Sequence, residues 1–273
     1  MMAFLIVCGL ALALVIALLI QPWLREQRRL RLAHQPFPAA WRRLLRRRVP
    51  LVARLPADLQ LRLKGLMQVF LAEKPIIGCA GLRVNDEMRV TIAALACLPL
   101  LGDARGLYPR LRQVLLYPSA FYVDRLRQEA GGLQREERQL LAGESWSQGQ
   151  VLLSWQDVLA DAADPQDGRN VVIHEFAHQL DQVTGQADGT PVQANAQALR
   201  QWSAIMQAEY RGLQERVARG EETLLNAYGS VDQAEFFAVA SEVFFERPQA
   251  LQAQHPALYG LLSGFYQLNP TSW

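Results

Sequence analysis

The sequence predicts an α+β domain preceded by an apolar amino-terminal segment. Apolar runs typical of strands lie in the first half of the body, at residues 75–84, 113–117 and 150–155. Helical spacing dominates the second half, at residues 170–182, 193–219, 231–246 and 256–267. Because strands come early and helices come late, we expect a small mixed sheet with helices packed on it.

The composition excludes several classes of protein. Hydrophobic residues make up 51% of the 273 residues, which is ample for a buried core and excludes a disordered chain. The length suits one large domain or two small ones. The three cysteines, Cys8, Cys79 and Cys97, are too few for a disulfide-stapled scaffold and lack the spacing of a zinc ribbon.

The first half of the body contains two predicted helices and three predicted strands before the helical region. Leucines at helical spacing predict a helix over residues 57–71, and residues 75–84 follow as a short strand. Asn85 belongs to the residue types that cap helices, so we expect a helix to begin there. The runs QVLLY (113–117) and QVLLSW (150–155) are bounded by turn residues and predict strands. The second run is either an edge strand that pairs with an extended peptide or an ordinary core strand.

Residues 1–20 are apolar throughout and carry no charged side chain. As a helix with a rise of about 1.5 Å per residue, they would extend roughly 30 Å, the thickness of a bilayer core. A cleaved signal peptide would have a basic residue before the apolar run and a small-x-small site after it, and neither is present. Against the alternatives of a buried core helix or a signal peptide, we favour one transmembrane anchor.

The next segment is a basic arm. Residues 21–50 carry nine arginines against Glu26, a net charge of +8, and since the whole chain carries +2, residues 51–273 carry −6. Positive charge on the carboxyl side of the apolar run predicts that this side is cytoplasmic. We therefore expect a single-pass protein of the bacterial inner membrane with its amino terminus outside. Residues 21–56 would be a juxtamembrane linker, and residues 57–273 a cytoplasmic domain.

An HExxH motif, His174-Glu175-Phe176-Ala177-His178, lies inside the first of the later helices. Residues i and i+4 share a helix face, so both imidazoles can reach one metal ion. Glu175 lies one position round from His174 and can take a proton from a water held at that ion. The alternative is a chance pair, but the chain has only four histidines and two of them stand in this register.

A catalytic zinc site also needs a third protein ligand and an open position. No further histidine has a suitable spacing, so a carboxylate of a later segment is the better source. The candidates are Glu209, Glu221, Glu222, Glu235 and Glu242. Glu235 and Glu242 stand seven residues apart in the otherwise apolar helix AEFFAVASEVFF, which does not bury carboxylates without partners. We expect one of them to bind zinc and the other to pair with a ligand.

A capping role competes with ligation at the first of these glutamates. Asp232 and Glu235 fit a capping box, with Asp232 as the N-cap of the helix. In that case Glu242 would be the ligand. Spacing within the helix leaves both assignments open.

These residues resemble the gluzincin pattern, in which a tyrosine, here Tyr228, stands seven residues before the glutamate ligand, here Glu235. Over residues 36–270 the chain is similar to the Mlc titration factor (MtfA) family of zinc peptidases. The stretches that carry the resemblance are VLLYP (114–118), GESW (143–146), VLLSW (151–155), HEFAHQLD (174–181), DGTP (188–191) and AEFFAVASE (234–242).

The resemblance implies a zincin-like domain that binds one Zn²⁺ through His174, His178 and Glu235. It also implies Glu175 as general base and Tyr228 beside the scissile carbonyl. The activity implied is that of a peptidase with aminopeptidase-like action on small substrates. In enterobacteria the family member binds and sequesters the glucose repressor Mlc, and the anchor and basic arm set this sequence apart from that soluble relative.

Two further residues receive supporting roles. We expect Glu242 to hold a metal ligand in place from behind. Asp181 would either orient a ligand histidine or cap a turn, and the sequence does not separate these two roles.

Two functions follow as hypotheses. The first is a membrane-anchored, zinc-dependent peptidase acting on a peptide or protein substrate. The alternative is a regulatory module that sequesters a transcriptional repressor such as Mlc, with zinc mainly structural. An intact Glu175 and an open fourth position favour the peptidase, because structural zinc sites are usually closed by four protein ligands. No direct contact with nucleic acid is expected, since the body is acidic and lacks a helix-turn-helix or finger motif.

Overall fold

The computed structural model describes residues 1–102, 106–128, 134–141, 143–146 and 149–273. In these ranges the chain forms ten α-helices and six β-strands, which confirms the α+β class. The helices are α1 (Met2–Ala33), α2 (Ala39–Arg48), α3 (Ala57–Glu73), α4 (Asp86–Cys97), α5 (Trp155–Ala163), α6 (Val171–Asp181), α7 (Ala196–Ala218), α8 (Gln233–Glu246), α9 (Pro248–Gln254) and α10 (Pro256–Tyr266). The strands are β1 (Ile76–Gly78), β2 (Gln113–Tyr117), β3 (Phe121–Gln128), β4 (Gln134–Leu141), β5 (Gly143–Trp146) and β6 (Gln150–Ser154).

Four of the strands form a mixed sheet in the order β1-β2-β6-β5. β1, β2 and β6 run parallel, with Val114 opposite both Ile76 and Val151, whereas β5 runs antiparallel to β6. β6 therefore lies inside the sheet, and its Val151 and Leu153 are fully buried. The core-strand alternative for residues 150–155 is right and the edge-strand alternative is wrong. Among the described strands, β5 is the edge strand next to β6, and β1 is the edge strand on the opposite side of the sheet.

Besides β5, five α-helices and strands were not predicted from the sequence, namely α2, α5, α9, β3 and β4. β3 and β4 pair with each other as an antiparallel ribbon, and charged residues interrupt both of their apolar patterns. α5 begins at Trp155, the last residue of the predicted strand, because the Ser154 hydroxyl caps the helix by accepting from the Asp157 backbone N–H at 3.3 Å. α9 is a short helix that starts with Pro248 directly after α8.

Helices α6 and α8 pack against each other in the core. Phe236, Phe237 and Phe244 of α8 are fully buried, as are Val172 and Phe176 of α6. Burying one such side chain contributes roughly 1.5–3 kcal/mol to stability. The two helices are therefore held firmly, and the polar side chains that they carry have fixed positions.

Capping residues define where three of the helices begin. Asn85 caps α4, Asn170 caps α6 and Asp232 caps α8, each by accepting a hydrogen bond from the backbone N–H three residues later. The predicted helix start at Asn85 is confirmed.

The carboxyl-terminal end of α1 is bonded to α3. The Arg29 guanidinium forms a bidentate ion pair with Glu73, with N···O distances of 2.8 and 2.7 Å. The Gln68 amide donates to the backbone carbonyls of Leu32 and Gln35 at 2.6 and 3.0 Å. These bonds fix the last turns of α1 to the domain.

Part of the segment expected to be a linker packs into the core, where Phe37, Leu45 and Leu51 are buried. In the part of the chain that the structure describes, no helix combines the length and apolarity needed to cross a bilayer. The anchor prediction depends on residues 1–20, and most side chains of this segment lie outside the described residues. The anchor therefore stays a prediction.

Candidate metal centre

The HExxH motif occupies the middle of α6, and its helix is fixed by aromatic packing. The Phe176 ring lies between those of Tyr108 and Phe70, with centroid distances of 4.8 and 5.7 Å. His174 and His178 project from the other side of the helix, and their side chains are 12% and 10% exposed. Because of the helical periodicity, one face of α6 packs in the core through Phe176 and the other face carries both imidazoles.

The ligand atoms of three predicted residues converge at one point. The Nε2 atoms of His174 and His178 lie 3.2 Å apart, and the Glu235 Oε2 atom lies 2.9 and 3.4 Å from them. A tetrahedral zinc ion with bonds of about 2.0–2.1 Å needs ligands roughly 3.3 Å apart. The donor set and its spacing therefore fit Zn²⁺. No second group of three such ligands occurs in the described ranges.

Glu242 lies behind the first histidine and fixes its ring. The His174 Nδ1–H donates to Glu242 Oε1 at 2.7 Å. With the proton on Nδ1, the lone pair of Nε2 faces the other ligand atoms. The other oxygen of Glu242, Oε2, accepts from the Asn170 backbone N–H at 2.6 Å. Glu242 therefore lies next to His174 as expected, and its supporting role toward a metal ligand stays a prediction.

The ligands are strongly coupled when no metal is bound. Burial opposes a charge on His174, but hydrogen bonds to Glu235 and Glu242 outweigh it and raise the pKa of the imidazole well above its ordinary value. Burial also opposes ionisation of Glu235, yet hydrogen bonds from His174 and His178 hold the pKa of this carboxyl far below its usual range. The metal-free site therefore combines a carboxylate with an imidazolium, and a metal ion has to displace the proton from His174 Nε2, which leaves the neutral ring with its proton on Nδ1.

Glu235 also resolves the capping question. Its backbone N–H donates to Asp232 Oδ1 at 2.9 Å, so Asp232 is the N-cap of α8. The Glu235 side chain does not complete the capping box, because its Oε2 atom faces the two histidines. The Glu235 backbone therefore takes part in the N-cap of α8, and the Glu235 side chain faces the candidate metal centre.

Glu175 is buried beside the edge strand, with 4% of its surface exposed. Burial, together with the carboxyls of Glu235, Glu144 and Glu242, raises the pKa of Glu175 to about 8, against a lowering by His174. Its Oε2 atom has no hydrogen-bond partner among the described residues. A carboxyl of this kind can hold or release a proton near neutral pH.

The position of Glu175 depends on Gly143, the first residue of β5. A Cβ atom at position 143 would lie 2.6 Å from Glu175 Oε1 and 2.7 Å from Val171 Cγ2. The strand therefore approaches α6 more closely than any residue with a side chain allows. Gly143 belongs to the GESW stretch that carries the family resemblance, but nothing in the sequence indicates this contact.

Tyr228 lies at the mouth of the site in a 3₁₀ turn, Ala227–Ser230. Its hydroxyl donates to Glu235 Oε1 at 3.2 Å, and its ring centroid is 6.1 Å from that of His174. The Asn226 side chain caps this turn by accepting from the Tyr228 backbone N–H at 2.9 Å. With 47% of its surface exposed, Tyr228 can reach solvent or a bound molecule.

Asp181 caps a turn. Its Oδ2 atom accepts from the Gly189 backbone N–H at 2.7 Å, and burial raises the pKa of this carboxyl to about 6. His178 Nδ1 and Asp181 Oδ1 are both buried without a hydrogen-bond partner in the described part of the chain. Of the two predicted roles, the structure therefore displays the turn cap and no direct bond to His178.

The candidate metal centre lies at the floor of a cleft of about 560 Å³. Its walls come from β5, from α5 with the start of α6, and from the Tyr228 turn with the start of α8. Acidic side chains predominate outside the centre, namely Glu144, Asp157, Asp161 and Asp232, and Arg169 is also present. The sequence predicts Asp232 only as a helix cap, and no pattern in it marks the other four as residues of the site.

A paired-histidine helix beside a carboxylate helix is typical of metallopeptidases, and this chain is metallopeptidase-like. It belongs to the family described as glucose-regulated metallo-peptidase M90, whose model matches residues 22–267. The family predicted from the resemblance is thereby confirmed.

Several relatives cover most of the chain. The protein slr2042 of Synechocystis sp., described as uncharacterized, is 38% identical over 249 residues, which are 91% of this chain and 90% of the relative. Mlc titration factor A of Enterobacter sp. (strain 638) is 34% identical over 81% of this chain and 84% of its own length. Mlc titration factor A of Salmonella agona is 33% identical over 82% and 84%, respectively.

Proposed function

We propose that the protein is a zinc-dependent peptidase with aminopeptidase-like activity. The observation that carries this proposal is the convergence of His174, His178 and Glu235 at tetrahedral spacing beside the buried carboxyl of Glu175. These three residues would hold one Zn²⁺. When bound, such an ion lowers the pKa of water and polarises a carbonyl group.

The chain supplies the proton transfers. Glu175 lies in the cleft with an unpartnered oxygen among the described residues, so it can accept a proton from the attacking water. The same carboxyl then gives the proton to the leaving amine. Its raised pKa suits both transfers, because a group that titrates near the working pH exchanges protons most effectively.

Tyr228 is the donor for the charge that develops on the substrate carbonyl oxygen. Its hydroxyl is exposed at the mouth of the cleft and its present acceptor, Glu235, is a metal-binding candidate. On substrate binding, the hydroxyl would exchange this acceptor for the carbonyl oxygen.

The edge strand β5 is the proposed platform for an extended peptide. Glu144 and Ser145 line the cleft, and β5 pairs through one side only with another described strand. A peptide added along the other side would lie against the cleft, as in strand-addition recognition. The acidic walls of the cleft complement the positive charge of a free amino terminus, which supports the aminopeptidase-like assignment.

The decisive experiment replaces Glu175 with Gln. Glu175→Gln should retain Zn²⁺ and the fold, measured by metal analysis and circular dichroism, and should lose peptide hydrolysis. The matched control is Glu209→Gln. The Glu209 carboxyl lies 2.7 Å from His255 Nδ1, and neither residue lines the cleft. Undiminished turnover in Glu175→Gln would contradict the mechanism.

A second candidate function rests on the relatives. Proteins named Mlc titration factor A are 33–34% identical to this chain, so a regulatory module that sequesters an Mlc-like repressor is the alternative. Capture of purified Mlc with equal affinity by the wild-type protein and by Glu175→Gln, together with an absence of hydrolysis in both, would favour this alternative.

We further propose a location at the inner membrane, with residues 1–20 as the anchor and the domain in the cytoplasm. The apolar run and the arginines that follow it support this topology. A reporter fused after Trp273 should be active in the cytoplasm and should stay with membranes after an alkaline wash. Release by the wash, or activity only in the periplasm, would contradict the proposal.

A further inference from the structure

Asn170 holds two carboxyl groups of α8 at once. Its backbone N–H donates to Glu242 Oε2 at 2.6 Å, and its side-chain amide donates to Glu246 Oε1 at 2.9 Å. Its side-chain oxygen caps α6 by accepting from the Ile173 backbone N–H at 3.1 Å. One residue therefore joins the first turn of α6 to two successive turns of α8.

This network is deeply buried. Asn170, Glu246 and Glu242 are 1%, 2% and 7% exposed. Removing one partner from a buried hydrogen bond leaves the other partner unsatisfied, which is more costly than the loss of an exposed bond. The contacts of Asn170 are therefore well defined and not readily replaced by solvent.

Glu246 forms a side-chain hydrogen bond with Asn170 and with no other residue in the described part of the chain. Its Oε1 atom bonds to Asn170, and its Oε2 atom has no hydrogen-bond partner in the described part of the chain. Burial, helped by the neighbouring carboxyls of Asp167, Glu242 and Asp161, raises its pKa to about 9. A carboxyl in such surroundings is costly to bury, and its one hydrogen bond is directed at the residue that holds Glu242.

The chain of contacts ends at a metal-binding candidate. Glu242 is held on one oxygen by Asn170 and on the other by the Nδ1–H of His174. Because both oxygens are engaged, the carboxylate cannot rotate without breaking one of these bonds. Moving Asn170 would therefore turn the His174 ring.

We propose that Asn170 and Glu246 are positioning residues of the metal centre, since their mutual hydrogen bond keeps the Asn170 backbone against Glu242, and Glu242 orients His174. This inference rests on the proposed function, because ring orientation matters only if His174 binds a metal ion. Neither residue touches the three ligand atoms, so both act through Glu242.

The test uses the full chain and changes the direction of one hydrogen bond. Asn170→Asp keeps an oxygen for the cap of α6 but removes the amide donor, and the comparison is made above the folded-state pKa of Glu246 of about 9, where this carboxyl has no proton to donate and two carboxylates face each other. Zn²⁺ affinity should fall about 10–100-fold, as for other residues that orient metal ligands. Glu246→Gln keeps the acceptor oxygen and should bind Zn²⁺ as the wild type does.

The double variant Asn170→Asp with Glu246→Gln restores the bond in reverse, because the new amide at 246 donates to the new carboxylate at 170. Zn²⁺ affinity should therefore recover. The visible absorption spectrum of the Co²⁺-substituted protein should change in Asn170→Asp and return in the double variant. The matched control is Asn195→Asp, the same change at the N-cap of α7, where Asn195 accepts from the Ala198 backbone N–H at 2.9 Å.

Wild-type Zn²⁺ affinity in folded Asn170→Asp overturns the inference, and so does a double variant that binds no better than the single one. If Asn170→Asp does not fold, Glu246→Leu removes the same hydrogen bond, and unchanged Zn²⁺ affinity in that variant overturns the inference. A wild-type chain that binds no Zn²⁺ contradicts the proposed function and this inference together. Wild-type binding with unaffected variants contradicts the inference alone.

Discussion

His174 and Glu242 are joined by a 2.7 Å hydrogen bond although 68 residues separate them in the chain. The other ring nitrogen of His174 lies 2.9 Å from Glu235, on the same face of α8. One imidazole therefore contacts two carboxyl groups of a single helix. Glu235 contacts the Nε2 atom, which would bind the metal ion, and Glu242 contacts the Nδ1 atom, so the two glutamates have different proposed roles.

Glu235→Ala should weaken Zn²⁺ binding much more than Glu242→Ala. The first change removes an anionic oxygen that lies beside both Nε2 atoms, whereas the second releases only the Nδ1 side of one ring. For Glu242→Ala we expect a loss of about 10–100-fold, and for Glu235→Ala a loss beyond that range. Titration of each purified variant with Zn²⁺ measures both. Full affinity in Glu235→Ala, with loss in Glu242→Ala, would transfer the ligand role to Glu242.

Tyr228→Phe should retain Zn²⁺ and lose hydrolytic rate. If the Tyr228 hydroxyl donates to the charged oxygen of the transition state, its loss costs roughly 2–4 kcal/mol, or about 30-fold to 10³-fold in kcat. Steady-state kinetics on a peptide substrate give this number. Tyr259→Phe is the control. The Tyr259 hydroxyl donates to Asn269 Oδ1 at 2.6 Å, and neither residue lines the cleft. Equal rates in the two variants would remove Tyr228 from the mechanism.

Gly143→Ala should disturb the proposed base while the metal ligands stay in place. The added methyl group would clash with Glu175 and Val171, and overpacking of this kind costs about 1–3 kcal/mol. We expect a lower kcat and a lower free energy of unfolding, with Zn²⁺ still bound. Gly212→Ala is the matched control, since no atom lies within 4 Å of a Cβ atom at that helical position and the change should stabilise by about 0.5–1 kcal/mol. Unchanged turnover in Gly143→Ala would contradict the close approach of β5 to Glu175.

The stability of the metal-free protein should depend on pH through Glu246. At low pH this carboxyl is protonated in the folded and unfolded chains alike, so it imposes no penalty. Above its ordinary pKa of 4.5 the unfolded chain loses the proton while the folded chain keeps it, up to a folded-state pKa of about 9. The free energy of unfolding therefore falls as pH rises through this window, by at most about 1.4 kcal/mol per pH unit.

Glu246→Gln removes this titration, so its stability relative to the wild type should rise from about pH 5 to pH 9. Urea unfolding in the presence of a chelator, at several pH values, measures the difference. Two other buried carboxyls with raised pKa values, Asp181 and Glu175, are present in both proteins and cancel in the comparison. If the free energies of unfolding of the wild type and of Glu246→Gln differ by the same amount at every pH, the raised pKa of Glu246 is contradicted.

Much of the metal centre could be predicted because its residues lie in regular helices. The i, i+4 spacing of His174 and His178 places them on one face of α6, and Glu235 stood out as a carboxylate in an apolar helix. Helix boundaries at 171, 196, 233 and 256 lie within a few residues of the predicted ones, because periodicity and capping residues are local signals.

Contacts between distant segments could not be predicted in the same way. The close approach of Gly143 to Glu175 and the bond between Asn170 and Glu246 arise from tertiary packing, which leaves no periodic pattern. Asn170 precedes the apolar run of α6, so the sequence carried a signal for its capping role but none for its two carboxyl partners. β5 was missed because four residues that begin with a glycine are too short to display alternation.

The separation of the ligands along the chain also matters during synthesis. His178 leaves the ribosome well before Glu235, and the carboxyl groups that hold His174 and Asn170 belong to the same late helix, α8. A nascent chain that ends before α8 has two histidines but neither the third ligand nor their support. The candidate metal centre can therefore form only after α8 has been synthesised, and a nascent chain that ends before α8 carries no assembled site.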